Sequence, residues 1–240
     1  MEKIDFEITI PVLNEELTLE RNIKILYKYL IENFPNNSWK IIIADNGSND
    51  RTEKIGENLE HFSELIKFIK TENRGVGAAL KKSWNQSNAA IIGFMDLDLA
   101  VDLNYLKIAI NQLEQSTTDM IYGSRLNLSS KVIGRSLKRE IISRIFNQIL
   151  RLYFKSKISD GMCGFKFLKK DLYHELYNNG AKSDGWFFSS EIILVCEKLG
   201  YILTELPVTW TDDRSSRVKV IQLSIEYLRD MKKLKKYLNG

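Results

Sequence analysis

Short apolar runs and longer stretches of helical periodicity take turns along the first half of the chain. Residues 3–13 (KIDFEITIPVL) predict a first strand. Residues 14–34 follow with Leu19, Ile23, Leu26, Leu30 and Phe34 on one stripe, the spacing of an amphipathic helix. Asn14 is its expected N-cap, and the glutamates behind it suit the positive end of a helix dipole. Residues 39–45 (WKIIIAD) are apolar on both faces, as in a central parallel strand, and 46–52 (NGSNDRT) are turn chemistry leading into a helix. Strands at 65–71, 89–98 and 119–125 alternate with helices at 72–87, after a glycine-rich turn, and at 101–115. This alternation argues for an α/β fold, a mostly parallel sheet with helices on both faces. Right-handed crossovers then bring the strand C-termini to one edge, where such sheets bind ligands.

The second half has another texture. Residues 134–157 predict a basic and very apolar helix, 160–176 a glycine-containing loop and helix, and 183–201 a loop and helix. Residues 202–210 read as a strand whose Pro207 marks an edge or an end, and 218–238 as a last helix.

Composition narrows the class without naming it. Hydrophobic residues at 44% and charged residues at 28% are the balance of a globular protein that stays in water. Cys163 and Cys196 lie far apart with no CxxC spacing, which predicts reduced thiols rather than a disulfide or metal cluster. The first residues lack the pattern of a signal peptide, and no apolar run approaches the roughly 20 residues that span a bilayer. A cytoplasmic location is expected. The net charge of +4 is too small to imply nucleic acid, but basic residues crowd into 131–157 and 229–236.

Candidate chemistry sits at the strand ends. Asp96 and Asp98 stand one residue apart where the apolar run 89–95 ends. Two ionised carboxylates in a partly dry cleft repel by about 1 kcal/mol or more, and a divalent cation removes that cost. Mg²⁺ or Mn²⁺ takes one or two carboxylates together with substrate phosphates, so the pair fits a metal that bridges protein to diphosphate. A solvated turn is the plainer alternative. Asp45 ends the second strand, where a carboxylate accepts from a base N–H or a ribose hydroxyl. Asn14 and Glu15 follow the first strand, and NRGVG (73–77) offers Arg74 beside glycines that admit close approach to a ligand. Ordinary turn and cap chemistry is the competing account of each.

The blocks IPVLNEE, IIIADNGSNDRT, NRGVGAAL and FMDLDLA occur in that order. They resemble the nucleotide-binding half of inverting family 2 glycosyltransferases of the GT-A, Rossmann-like fold. YGSRL, KREIISRIFN, DGMCGFKFLKKD and ELPVTWTDDRSSRVKV extend the resemblance over about residues 5–230, to the dolichyl-phosphate glucosyltransferase and polyprenyl-phosphate glycosyltransferase branch. The resemblance implies one GT-A unit over 1–240. Residues 1–125 form its nucleotide-sugar half, and 126–240, with the basic apolar helix and the C-terminal helices, its acceptor half. It implies that Pro11, Asn14, Glu15, Asp45 and Arg74 line the donor site, with Asp96 towards the ribose and sugar and Asp98 on the metal. It implies a hexose donor such as UDP-glucose and the phosphate of a long isoprenoid lipid as acceptor. The chain departs from the family's DDGS at Asn46, which puts donor choice in question. It has Ala100 where mannosyl relatives carry Gln, and C-terminal transmembrane helices like those of many relatives are not expected.

The acceptor side rests on cations. Arg139 and Ser143 are four apart on one helix face, and Arg125 ends the fifth strand. Two guanidinium forks and a hydroxyl suit an anionic phosphate, and the matching family positions bind the lipid phosphate. Such an acceptor is already anionic and needs no general base. Asp96, Asp98, Arg125 and Arg139 are therefore the residues expected to carry catalysis, with inversion at the anomeric carbon. Nine apolar residues between Ile141 and Phe154, ringed by lysines and arginines, fit a helix lying in a membrane interface. A core helix or an oligomer contact is the other explanation. The expected location is thus peripheral, on the cytoplasmic face of a membrane. Glu191 is the candidate base if the acceptor is instead a glycan hydroxyl, the alternative function, and otherwise a positioning residue. Residues 212–220 read as a loop closing on the donor through Arg214 or Arg217, or as plain surface. A binding module that senses nucleotide sugar is the third reading, opposed by the intact aspartate pair.

Overall fold

The structure is a computed structural model that describes residues 4–115, 117–211 and 220–239. The elements run β1 (Ile4–Val12), α1 (Leu19–Asn33), β2 (Trp39–Asp45), α2 (Thr52–Phe62), β3 (Ile66–Lys70), α3 (Val76–Gln86), β4 (Ala89–Met95), α4 (Asn104–Gln115) and β5 (Met120–Ser124). They continue with β6 (Lys131–Ile133), α5 (Leu137–Phe154), β7 (Phe165–Lys169), α6 (Tyr173–Asn178), α7 (Phe188–Lys198), β8 (Leu203–Pro207), β9 (Thr209–Thr211) and α8 (Val220–Asn239).

Seven strands form one sheet in the order β3-β2-β1-β4-β7-β5-β8, and β6 pairs with β9 beside it. All neighbours in the large sheet are parallel except β7, which runs antiparallel between β4 and β5. The α1 stripe expected from spacing is buried on one face, where Leu19, Ile23, Leu26 and Leu30 pack with Leu106 and Ile110 of α4 over Ile8 and Ile10. On the other face, Leu80 and Trp84 of α3, Phe188 and Ile192 of α7 and Met231 of α8 cover Ile92 and Phe94. Each fully buried large apolar side chain contributes about 1.5–3 kcal/mol, so both layers hold the sheet.

Four expectations are corrected. First, the helix after β1 starts at Leu19, so Asn14 is not its N-cap. Residues 13–18 form a turn in which Asn14 takes a left-handed φ of 56°. Second, 160–176 is not loop and helix alone: it contains β7, whose alternation puts Phe165 and Phe167 in one core and Leu168 in the other. Third, the strand expected over 202–210 breaks at the buried Val208 into β8 and β9. Fourth, β6 was not expected; its three residues pair with β9 through Lys131–Thr209, Val132–Trp210 and Ile133–Thr211. Residues 212–219, with Arg214 and Arg217, lie outside the described residues.

Candidate active site

The carboxyl edge of the sheet gathers most of the residues singled out by sequence. β1 and β2 end in register, with Pro11 opposite Ala44 and Val12 opposite Asp45. The loops beyond them are sewn together. The Asn14 N–H donates to Ser48 Oγ at 2.9 Å, and the Asn49 N–H donates to Asn14 Oδ1 at 2.9 Å. The Glu15 N–H donates to Thr52 Oγ1 at 2.7 Å, while its carboxylate accepts from the Thr18 hydroxyl at 2.7 Å. Asp45 is fully buried, and its Oδ1 accepts from the Ser48 N–H at 3.0 Å and the Ser48 hydroxyl at 2.6 Å. Its Oδ2 is buried with no partner among the described residues. A buried acceptor left unpaired costs about 1–3 kcal/mol, which a donor N–H on a bound base would recover. Asn46, the departure from the family pattern, is a strap: its side-chain amide donates to the Val12 carbonyl at 2.8 Å. A carboxylate has no proton to give there.

Arg74 is exposed at the entry to α3. The next residue, Gly75, has a φ of 138°, and a Cβ there would lie 2.1 Å from the Asp184 carbonyl oxygen. The close approach is used, because the N–H groups of Gly77 and Ala78 donate to the carbonyls of Gly185 and Asp184 at 3.1 and 2.9 Å. Lys81 adds bonds to Asp184 Oδ1 and the Lys182 carbonyl, each 2.6 Å. The segment is held from behind by Glu191, which accepts from the Ser183 N–H at 2.8 Å and hydroxyl at 2.5 Å. Burial pushes the Glu191 carboxyl up to about 7 against those two bonds. Glu191 thus positions this loop, with both oxygens engaged.

Asp96 follows β4 directly, and its N–H donates to the Gly164 carbonyl at 3.1 Å. A Cβ on Gly164 would fall 2.0 Å from Asp96 Oδ2, so only glycine leaves room for this carboxylate. Asp98 is exposed, and its Oδ1 accepts from the Ala100 N–H at 3.1 Å. Burial first, and then the charge of Asp98, hold the Asp96 carboxyl well above the usual carboxylate range; Arg125 and Lys166 act the other way. A divalent cation fits this pair because it removes the mutual repulsion. Among the described residues no group of three or more His, Cys, Asp or Glu forms a cage, so the remaining ligands would come from diphosphate and water.

Arg125, which acts on Asp96 electrostatically, is held in a fork with Asp160. Nε and Nη2 donate to the two carboxylate oxygens at 2.7 and 2.9 Å, and its backbone N–H donates at 3.1 Å. Its guanidinium lies 4.9 Å from the centroid of Trp210. Burial would raise the Asp160 carboxyl, but the Arg125 guanidinium outweighs it and holds it down at about 2. On α5, the buried residues are Ser143, Asn147 and Leu150. The Ser143 hydroxyl oxygen has no partner among the described residues. One turn on, Asn147 Oδ1 accepts from the Gly161 N–H at 2.8 Å, which ties α5 to the loop holding Arg125. Arg139 is half-buried one turn before Ser143, so the expected shared face holds.

Sequence reasoning assigned no role to Asp160, Gly164 or Lys166. The signal for Lys166 was a single cation in the apolar alternation FKFL. The structure buries it completely, with Nζ donating to the carbonyls of Gly161 and Cys163 at 3.1 and 2.6 Å and to Ser189 Oγ at 2.8 Å.

An open α/β sheet with a polar carboxyl edge, an orphaned acceptor and a paired-carboxylate corner defines a nucleotide-binding class of enzyme. The chain belongs to glycosyl transferase family 2, which matches residues 7–177. Its sequence is 25% identical over 220 residues to glycosyltransferase AglD of Haloferax volcanii, covering 91% of this chain and 35% of that protein. It is 27% identical over 252 residues to the dolichyl-phosphate beta-glucosyltransferase of Dictyostelium discoideum, covering 100% of this chain and 77% of that one. The fold is similar to glucosyl-3-phosphoglycerate synthase from Mycobacterium tuberculosis, crystallised with Mn²⁺, UDP and glucosyl-3-phosphoglycerate, at a TM-score of 0.69 and 16% identity, over 98% of this chain and 80% of that one. The chain is therefore a glycosyltransferase of GT-A fold. Among the described residues, no helix is long and apolar enough to cross a membrane.

Proposed function

We propose that the enzyme transfers a hexose, glucose by the names of its relatives, from a UDP-sugar to the phosphate of a dolichyl or other polyprenyl lipid, with inversion. The observation that carries this reading is the placement of opposite charges around Asp96. Asp98 and Arg125 act on the Asp96 carboxyl in opposite senses, and Arg125 is held beside it in its fork with Asp160, so a corner that suits a cation adjoins a buried guanidinium. Asp45 Oδ2 would accept from the base, with Pro11, Asn14, Glu15 and Arg74 around the nucleotide. Asp98 and Asp96 would hold Mg²⁺ or Mn²⁺, which supplies Lewis-acid stabilisation to the departing diphosphate. Arg125, Arg139 and Ser143 orient the acceptor phosphate, already anionic near neutral pH, for in-line attack. No base is required, in keeping with the engagement of both Glu191 oxygens by Ser183.

The lipid acceptor also accounts for α5. Leu137, Ile141, Ile145 and Leu152 are 82%, 56%, 56% and 71% exposed. An apolar arc of this kind, edged by Lys138, Arg144 and Arg151, suits the headgroup boundary of an anionic membrane. The test is a panel of nucleotide sugars offered with polyprenyl phosphate and Mn²⁺ or Mg²⁺, with the lipid-linked sugar as readout. Formation of that product from UDP-glucose is expected; glycosylation of a soluble sugar alone would overturn the acceptor.

A further inference from the structure

Lys166 is a buried cation at the seam of the two halves. In the sheet it stands opposite Phe94 on β4 and opposite Tyr122 on β5. Those strands lead, two and three residues on, to Asp96 and Arg125. Its three ammonium protons are all used: two tie the Gly161 and Cys163 carbonyls, and one reaches Ser189 at the start of α7. The tied loop is the one that grips Arg125 through Asp160 and receives Asp96 against Gly164. A buried ammonium costs several kcal/mol even when hydrogen-bonded. Among the described residues, Arg125 and Lys166 are the cations that act on both Asp96 and Asp160.

We infer that Lys166 is a positioning residue whose charge sets the balance between the cation corner and the anion corner of the site. It keeps the carboxylate cluster from becoming so negative that an acceptor phosphate is repelled, at the expense of metal affinity. This rests on the function proposed above, with Asp96 and Asp98 facing a metal and Arg125 an anionic acceptor.

The test separates charge from scaffolding, because scaffolding damage loosens both ligands while a lost charge moves them in opposite senses. Mn²⁺ binding in the presence of UDP is measured by electron paramagnetic resonance, and acceptor KM by steady-state kinetics with polyprenyl phosphate. For Lys166→Met we expect Mn²⁺ to bind about tenfold tighter and the acceptor KM to rise about tenfold. Ser189→Asp keeps the lysine and sets a carboxylate against it; it moves both constants in the same senses, and it carries the test if Lys166→Met does not fold. Both constants weakening together, or neither moving, overturns the inference while leaving the function intact. Failure of the wild-type protein to bind Mn²⁺ with UDP overturns the function itself, and the inference with it.

Discussion

The donor corner and α5 solve the problem of exposed surface in opposite ways. Beyond β1 and β2, polar loops satisfy one another through Asn14, Ser48, Asn49, Glu15 and Thr52. The 18-residue α5 instead buries only Ser143, Asn147 and Leu150 and leaves an apolar arc in water. A region with internal partners is built to receive a small polar ligand in fixed geometry. Under the proposed function, the charges around the arc suit a lipid surface.

Removing the carboxylate proposed to face the metal breaks the comparison on the donor side most severely. Asp98→Ala is expected to lower turnover by about 10⁴-fold, with the Mn²⁺ signal lost and thermal stability unchanged, because Asp98 is exposed and its loss empties no core. Turnover within tenfold of wild type would remove the metal from the donor corner. On the other side, Ile141→Glu with Ile145→Glu should lower partition onto vesicles of mixed neutral and anionic lipid by about 10³-fold, since two buried isoleucines are worth about 4 kcal/mol together. Hydrolysis of the UDP-sugar by the same variant should be unchanged. Unaltered co-sedimentation would leave the arc to another partner. Arg139→Ala is a smaller change: acceptor KM rises about 10²-fold, the loss of one charge-assisted contact, while donor KM stays put.

How much of this could be read from the string depends on the distance over which each feature is decided. Strands β1 to β5 were legible because a buried parallel strand writes its own apolar run. Asp96 and Asp98 were legible because they end one. β7 was not: FKFLK is short, carries a lysine inside its alternation, and is a strand only because β4 and β5 leave a gap between them. The Arg125–Asp160 fork joins residues 35 apart, and no local pattern announces it. The reverse error at Asn14 has the same origin. Asn followed by glutamates is good cap chemistry, yet Ser48 and Asn49 on the neighbouring loop claimed the residue and the helix started later.

The mildest test concerns polar burial inside β1. Glu7, in the middle of β1, is 4% exposed, and its carboxyl bonds Ser83 Oγ at 3.2 Å; that hydroxyl in turn meets Thr9 Oγ1 at 2.7 Å. Burial pushes the Glu7 carboxyl from its ordinary 4.5 up to about 7. Between these values the folded chain holds a proton that the unfolded chain has released. Stability from this group is therefore full below pH 4.5 and is lost as pH rises towards 7. Glu7→Gln keeps the shape and an acceptor for Ser83 and removes the titration. Relative to wild type, the variant should change little at pH 4.5, gain through the window, and reach about 3 kcal/mol above pH 7. Urea unfolding of both proteins at pH 5 and pH 8 reads this directly. A gap between the two that does not widen with pH would mean that Glu7 ionises freely in the folded state, and that β1 tolerates a buried charge as readily as α5 tolerates bare isoleucine.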